Sequence, residues 1–252
     1  MTEPHANDTE QPYSGPVVAV PVYAGVSELE LSLMMSLARV CAGPDAVKTV
    51  NRSRASIVTA GGLVTTPHFM YTTLPTPAAL FLPGGPGAAK AARDPLLKTF
   101  LQAHQHLPTG ISGSGVLLAG ESGLLTNRLV ACPTELVDTV WAYDPADVRG
   151  GEVVHDGPVV STPSGLPALH AAFAVASALW GAEVAMGALS RLGVGEIGFQ
   201  FPGGLPTPPA PYPKGRGSLR WHWARVIPDS DLAAWPDDVS DSHPLSHNAQ
   251  LP

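Results

Sequence analysis

The sequence predicts an α/β fold: a three-layer sandwich with a mainly parallel central sheet, continued by a proline-rich C-terminal arm. Three observations carry this. Between about residues 16 and 194, short β-branched runs alternate with longer Ala/Leu segments, the mark of successive βαβ units. The first run, VVAVPVY (residues 17–23), is apolar throughout rather than alternating, as a parallel strand buried on both faces must be. After residue 198 the text changes. FPGGLPTPPAPYPKGRGS (residues 201–218) holds six prolines and four glycines and can support neither a helix nor a central strand.

The elements follow in order. Residues 1–15 are polar and acidic and read as a leader outside the fold. After the opening strand, SELELSLMMSLARV predicts a helix, with Leu29, Leu33 and Leu37 four apart and Met34 and Met35 filling the stripe that faces the sheet. ASIVTAGGLVTT (residues 55–66) predicts a hairpin turning at Gly61-Gly62. AALFL (residues 78–82) is a second buried strand, ended by PGGPG (residues 83–87), and a helix follows over about residues 88–106. PTGISGSGVLLAGESGLL (residues 108–125) reads as strand, sharp glycine turn and helix. LPALHAAFAVASALWGAEVAMGALSRLG (residues 166–193) is apolar nearly all round, which predicts one long helix deep between the sheet and another layer. In the arm, SLRWHWARVIP (residues 218–228) is a candidate strand, and the last fifteen or so residues read as disordered. The division is a leader at 1–15, one α/β domain at 16–198 and the arm at 199–252.

Composition narrows the function classes. Of 252 residues, 44% are hydrophobic and 14% charged, with a mean hydropathy of +0.12, so the chain can bury a core and is not a solvated, disordered polymer. Fourteen Lys+Arg stand against 21 Asp+Glu, a net charge of −7 with no basic run. Neither a nucleic acid nor an anionic membrane is the expected partner. The beginning is unlike a signal peptide, and the most apolar segment, residues 171–182, falls short of the roughly 20 residues a bilayer span requires. A cytoplasmic protein acting on a small molecule is the expectation. Cys41 and Cys132 can form neither a disulfide framework nor a thiolate cage. His104 and His106, two apart on a helix, point to different faces, so no metal site and no cofactor are expected.

Ligands of a doubly wound sheet bind at the carboxyl ends of its strands. Three loops there have the right character: residues 24–30, 83–87 and 112–115. Their wording resembles the ThiJ/PfpI superfamily, of the class I glutamine-amidotransferase-like fold, and within it isocyanide-hydratase-like members. GVSELEL (residues 25–31) is similar to the family's first helix start, and LPGGPG (residues 82–87) to its glycine turn. SGSGVLLAGESGLLTNR (residues 112–128) is similar to its nucleophile elbow and following helix. HDGPVVSTPSGLPALHAAFAVASAL (residues 155–179) is similar to its late strand–helix segment. The resemblance spans about residues 16–194 and implies a flavodoxin-like sandwich and a homodimer. It also implies a cysteine two residues before the glycine that opens the elbow helix. That place is Gly113 here, the family's histidine falls near Pro133, and its acid survives as Glu30.

Glycine accepts the strained dihedrals of an elbow, so the turn is kept while covalent thiol chemistry is lost. The remaining groups point to general acid/base catalysis by Glu30, in an apolar pocket where desolvation favours its protonated form. The N–H groups around Gly84, Gly85, Gly113 and Ser114 are the candidate oxyanion donors. Hydration, dehydration, isomerisation or ring closure would suit this set. On this reading Glu30→Gln abolishes turnover and leaves the thermal midpoint nearly unchanged. Alternatives stay open. Ser27-x-x-Glu30 is a capping box, in which Glu30 only bonds back to its own helix. GISGS resembles the G-x-S-x-G elbow, so Ser112 or Ser114 is a candidate nucleophile. Cys132 lies beside the lost histidine's place, and His170 is either a base or a core histidine. The rival functions are a catalytically inactive binding or regulatory protein and thiol chemistry through Cys132.

Overall fold

The computed structural model describes residues 13–194, so most of the expected leader and the whole arm with its aromatic strand lie outside the described residues. In chain order, β1 (Val18–Pro21) leads through α1 (Glu28–Ala42) to β2 (Val47–Asn51). A hairpin of β3 (Ile57–Val58) and β4 (Val64–Thr65) precedes β5 (Phe69–Met70) and β6 (Ala79–Leu82). Then come α2 (Ala88–Ala91), α3 (Pro95–Ala103), β7 (Thr109–Ser112) and α4 (Val116–Glu121). The remainder is β8 (Leu129–Cys132), α5 (Val137–Val140), β9 (Asp147–Gly150), β10 (Val154–Asp156), β11 (Val159–Thr162), α6 (Ala168–Trp180) and α7 (Ala182–Arg191).

Seven strands form the central sheet in the order β10-β11-β7-β6-β1-β2-β5. Every neighbouring pair is parallel except β10–β11. Every residue of β1, β6, β7 and β11 is buried, which is why their sequences run apolar or small without alternation. Helices α1, α6 and α7 pack together, with α6 lying on β6, β7 and β11. From the other side α4 covers β6 and β7, and α2, α3 and α5 gather around it. The sandwich therefore has three layers. From β1 the chain moves outward to β2, then returns to lay β6 on the other flank of β1. The carboxyl ends of β1 and β6 are thus the topological switch point, where such sheets bind ligands.

Three details differ from the sequence reading. The helix expected over 88–106 is two helices: Asp94 accepts from the Leu96 N–H at 3.0 Å and Pro95 opens α3, a start signal inside the apolar run. The helix expected over 166–193 breaks at Gly181, whose φ of +89° ends α6 and begins α7. The buried stripe of α1 consists of Glu30, Leu31, Met34, Leu37 and Ala38, and Leu29 is 44% exposed. Among the described residues, no helix is long and apolar enough to cross a membrane.

Candidate functional site

The loops after β1, β6, β7 and β11 meet at the switch point. They approach so closely that side chains are excluded. Gly85 lies at φ +137°, and a Cβ there would stand 2.2 Å from the Gly25 carbonyl oxygen and 2.6 Å from the Ser27 nitrogen. Gly113, directly after β7, lies at φ +53° in the left-handed region. It opens the single 3-10 turn that feeds α4, the sharp strand-to-helix geometry read from SGSG.

Glu30 sits in the first turn of α1, 2% exposed. The Ser27 hydroxyl caps the helix by accepting from the Glu30 N–H at 3.4 Å. The reciprocal half of the capping box is absent, because the Ser27 N–H donates to the Gly84 carbonyl at 2.8 Å. The Glu30 carboxylate instead reaches across the switch point. Its Oε2 accepts from the Gly84 N–H at 2.6 Å and its Oε1 from the Gly165 N–H at 3.0 Å. One side chain ties together the loops after β1, β6 and β11. Beneath it the buried Tyr23 hydroxyl donates to the Pro83 carbonyl at 2.8 Å. Burial first, and the Glu30 charge second, push the Tyr23 phenol well above its ordinary value.

An open cleft of about 560 Å³ borders this carboxylate. Glu30, Gly85, Ser114 and Gly165 line it, with Pro133 at the place where the resemblance puts a histidine. The oxyanion arrangement read from the sequence needs correction. The Gly84 N–H is held by Glu30 and the Gly85 N–H by the Ser114 hydroxyl at 2.9 Å, so neither is available to a ligand. Ser114 in turn donates its one hydroxyl hydrogen to the Gly85 carbonyl at 2.9 Å, which leaves that oxygen only acceptor capacity. The Ser114 N–H, in the first turn of a helix, lacks an intrahelical acceptor by position.

The other candidates lie away from the cleft. Ser112 is fully buried and its hydroxyl donates to the Pro163 carbonyl at 3.4 Å, which does not suit a nucleophile. Cys132 is fully buried at the end of β8, and burial, aided by the charge of Glu135, pushes its thiol up to about 12. A thiolate there is strongly disfavoured near neutral pH. His170 is 1% exposed within α6, and burial first and His155 second bring it down to about 4, so it is a neutral core histidine. Two polar side chains of the cleft escaped the sequence reading: Glu135, an exposed second carboxylate, and Ser164 in the loop after β11. Glu135 sits in no motif. The signal for Ser164 was its place just beyond a strand's carboxyl end, in the fourth motif of the resemblance.

This is a doubly wound sandwich with a carboxylate at its switch point. The crystal structure of a ThiJ/PfpI family protein from Pseudomonas syringae is similar to it with a TM-score of 0.65 at 20% identity, covering 84% of each chain. DJ-1beta of Drosophila melanogaster gives 0.64 at 15% identity, over 71% of this chain and 97% of its own. Oxidized DJ-1 of Toxoplasma gondii gives 0.61 at 20% identity, over 71% of this chain and 98% of its own. No protein-family model and no curated protein matches the sequence. The fold is that of the ThiJ/PfpI and DJ-1 proteins.

Proposed function

We propose that this protein is an enzyme that moves protons on a small organic molecule, with Glu30 as general acid/base and no covalent intermediate. One observation carries the reading. A buried carboxylate borders an open cleft at the switch point, beside an elbow residue, Gly113, that has no side chain. Hydration, dehydration, isomerisation and ring closure each need one group that takes a proton from one atom and returns it to another. Each Glu30 oxygen spends one acceptor position on a backbone amide and keeps a second lone pair for substrate. Because those two amides fix the carboxylate, little reorganisation is needed when a proton moves. With the Gly84 and Gly85 N–H groups engaged, those of Gly113 and Ser114 are the candidate donors for a developing oxyanion. The family resemblance adds a homodimer, and the polar beginning of the sequence a place in the cytoplasm; sedimentation and fractionation test the two.

A second reading is favoured by the same two amides. Glu30 joins three loops, and a residue that does so can be kept for its structural role alone, in an inactive binding or regulatory protein. Turnover separates the two. The purified protein and its Glu30→Gln variant are incubated with the small-molecule fraction of a cell extract and followed by mass spectrometry. The enzyme reading requires a mass-neutral or water-sized conversion that the wild type catalyses and the variant loses by at least about 100-fold. An equal conversion by a folded variant contradicts it.

A further inference from the structure

At the elbow a side chain is missing, and something else stands in its place. A Cβ built on Gly113 would come within 2.5 Å of the Ser164 hydroxyl oxygen, 3.2 Å of the Ser164 Cα and 3.0 Å of Glu30 Oε1. The space into which an elbow side chain would project is therefore shared by a hydroxyl and a carboxylate oxygen, both on the cleft wall. Ser164 is exposed and brought there by the loop that also supplies the Gly165 N–H to Glu30. Charge adds a second, separate observation. Two carboxylates, Glu30 and Glu135, line the cleft, and among the described residues no Lys, Arg or His does. Leu117 and Leu136 give it apolar walls.

We infer that Ser164 and Glu30 Oε1 together form the recognition point for an N–H-bearing head group, and that the ligand is a small amine with an apolar body. The inference rests on the functional reading above and adds the substrate class. A carboxylate oxygen accepts only, and a serine hydroxyl both accepts and donates, so the pair suits an ammonium or amine with several hydrogens. A carboxylate or phosphate ligand would meet two like charges and no cation. An added side chain at Gly113 would displace the Ser164 hydroxyl, so glycine there is what keeps the recognition point open.

The test uses the full-length protein, its assigned amide resonances, and two probes of equal length, n-butylamine and butyrate, at neutral pH. Butylammonium shifts the Gly165 and Ser114 amides saturably, and Ser164→Ala, with an unchanged thermal midpoint, weakens its Kd by about tenfold. Butyrate produces no saturable shift. The inference is overturned if butyrate binds there as tightly as the amine, or if Ser164→Ala leaves amine affinity unchanged. Absence of saturation by the amine up to about 100 mM overturns it equally. Anion preference with turnover still dependent on Glu30 removes only the substrate class. Turnover that survives Glu30→Gln removes the functional reading and leaves the amine site as a binding site.

Discussion

At the scale of single residues, Glu30 holds the account together, and its geometry changes what substitution should do. Gln in its place would turn an amide NH2 toward the N–H of either Gly84 or Gly165. One buried donor is then left without an acceptor, a loss of about 1–3 kcal/mol. Denaturant unfolding of Glu30→Gln should show that loss, in place of the unchanged stability read from the sequence. Gly113→Ala meets both a left-handed backbone and the Ser164 hydroxyl 2.5 Å away. It should cost about 1–3 kcal/mol, and the double variant with Ser164→Gly should recover part of that in a double-mutant cycle. Burial of Glu30 was legible. The resemblance put Glu30 at the pocket, whereas the stripe read from Leu29, Leu33 and Leu37 did not include it; the observed buried face is Glu30, Leu31, Met34, Leu37 and Ala38. The partners of Glu30 were not legible, because they lie 54 and 135 residues away and are backbone groups, which carry no sequence signature.

At the scale of elements, β8 of the small β8–β9 sheet packs against β10 and β11 of the main sheet, and its Leu129 N–H donates to the Asp156 carboxylate at 2.7 Å. The buried Ala131 N–H donates to the Ser161 hydroxyl at 2.7 Å. Ser161→Ala should therefore lose about 1–3 kcal/mol by thermal unfolding, more than its small change in volume would imply. The β3–β4 hairpin is attached differently. Its turn is held by the Glu28 carboxylate, which is kept below its ordinary value by backbone N–H bonds from Glu28 itself and Gly61. Sequence patterning found β1, β6, the hairpin turn and the strand–turn–helix at β7 because each has either a continuous apolar run or an unmistakable glycine cluster. It merged α2 with α3 and α6 with α7. Apolar periodicity continues across both joints, and only the local chemistry of Asp94-Pro95 and the left-handed Gly181 interrupts it. It turned α1 by about a third of a turn, since Leu29 sits under no other element and remains exposed.

At the scale of the whole molecule, the buried histidines set the pH range of stability. His155 and His170 are both brought down to about 4, in each case mainly by burial. Unfolded, each titrates near 6.5, so the unfolded chain binds more protons between these values. The histidines' contribution should be constant above that range, fall as pH drops toward 4 by up to about 1.4 kcal/mol per pH unit for each, and level off below. Thermal midpoints measured across that range check the sign, and His155→Gln should flatten the slope. The overall sandwich was legible because alternating buried strands and amphipathic helices leave few topologies. The meeting of the loops after β1, β6 and β7 around Glu30 was read from the resemblance; the part of the loop after β11, which donates the Gly165 N–H, was not. The most direct test of that carboxylate's role compares four proteins on one substrate: wild type, Glu30→Gln, Ser112→Ala and Cys132→Ala. Turnover should survive both nucleophile deletions within a few-fold and fall at least about 100-fold in Glu30→Gln. A folded Glu30→Gln protein that works at the wild-type rate, or a Cys132→Ala protein that does not work at all, would contradict the account.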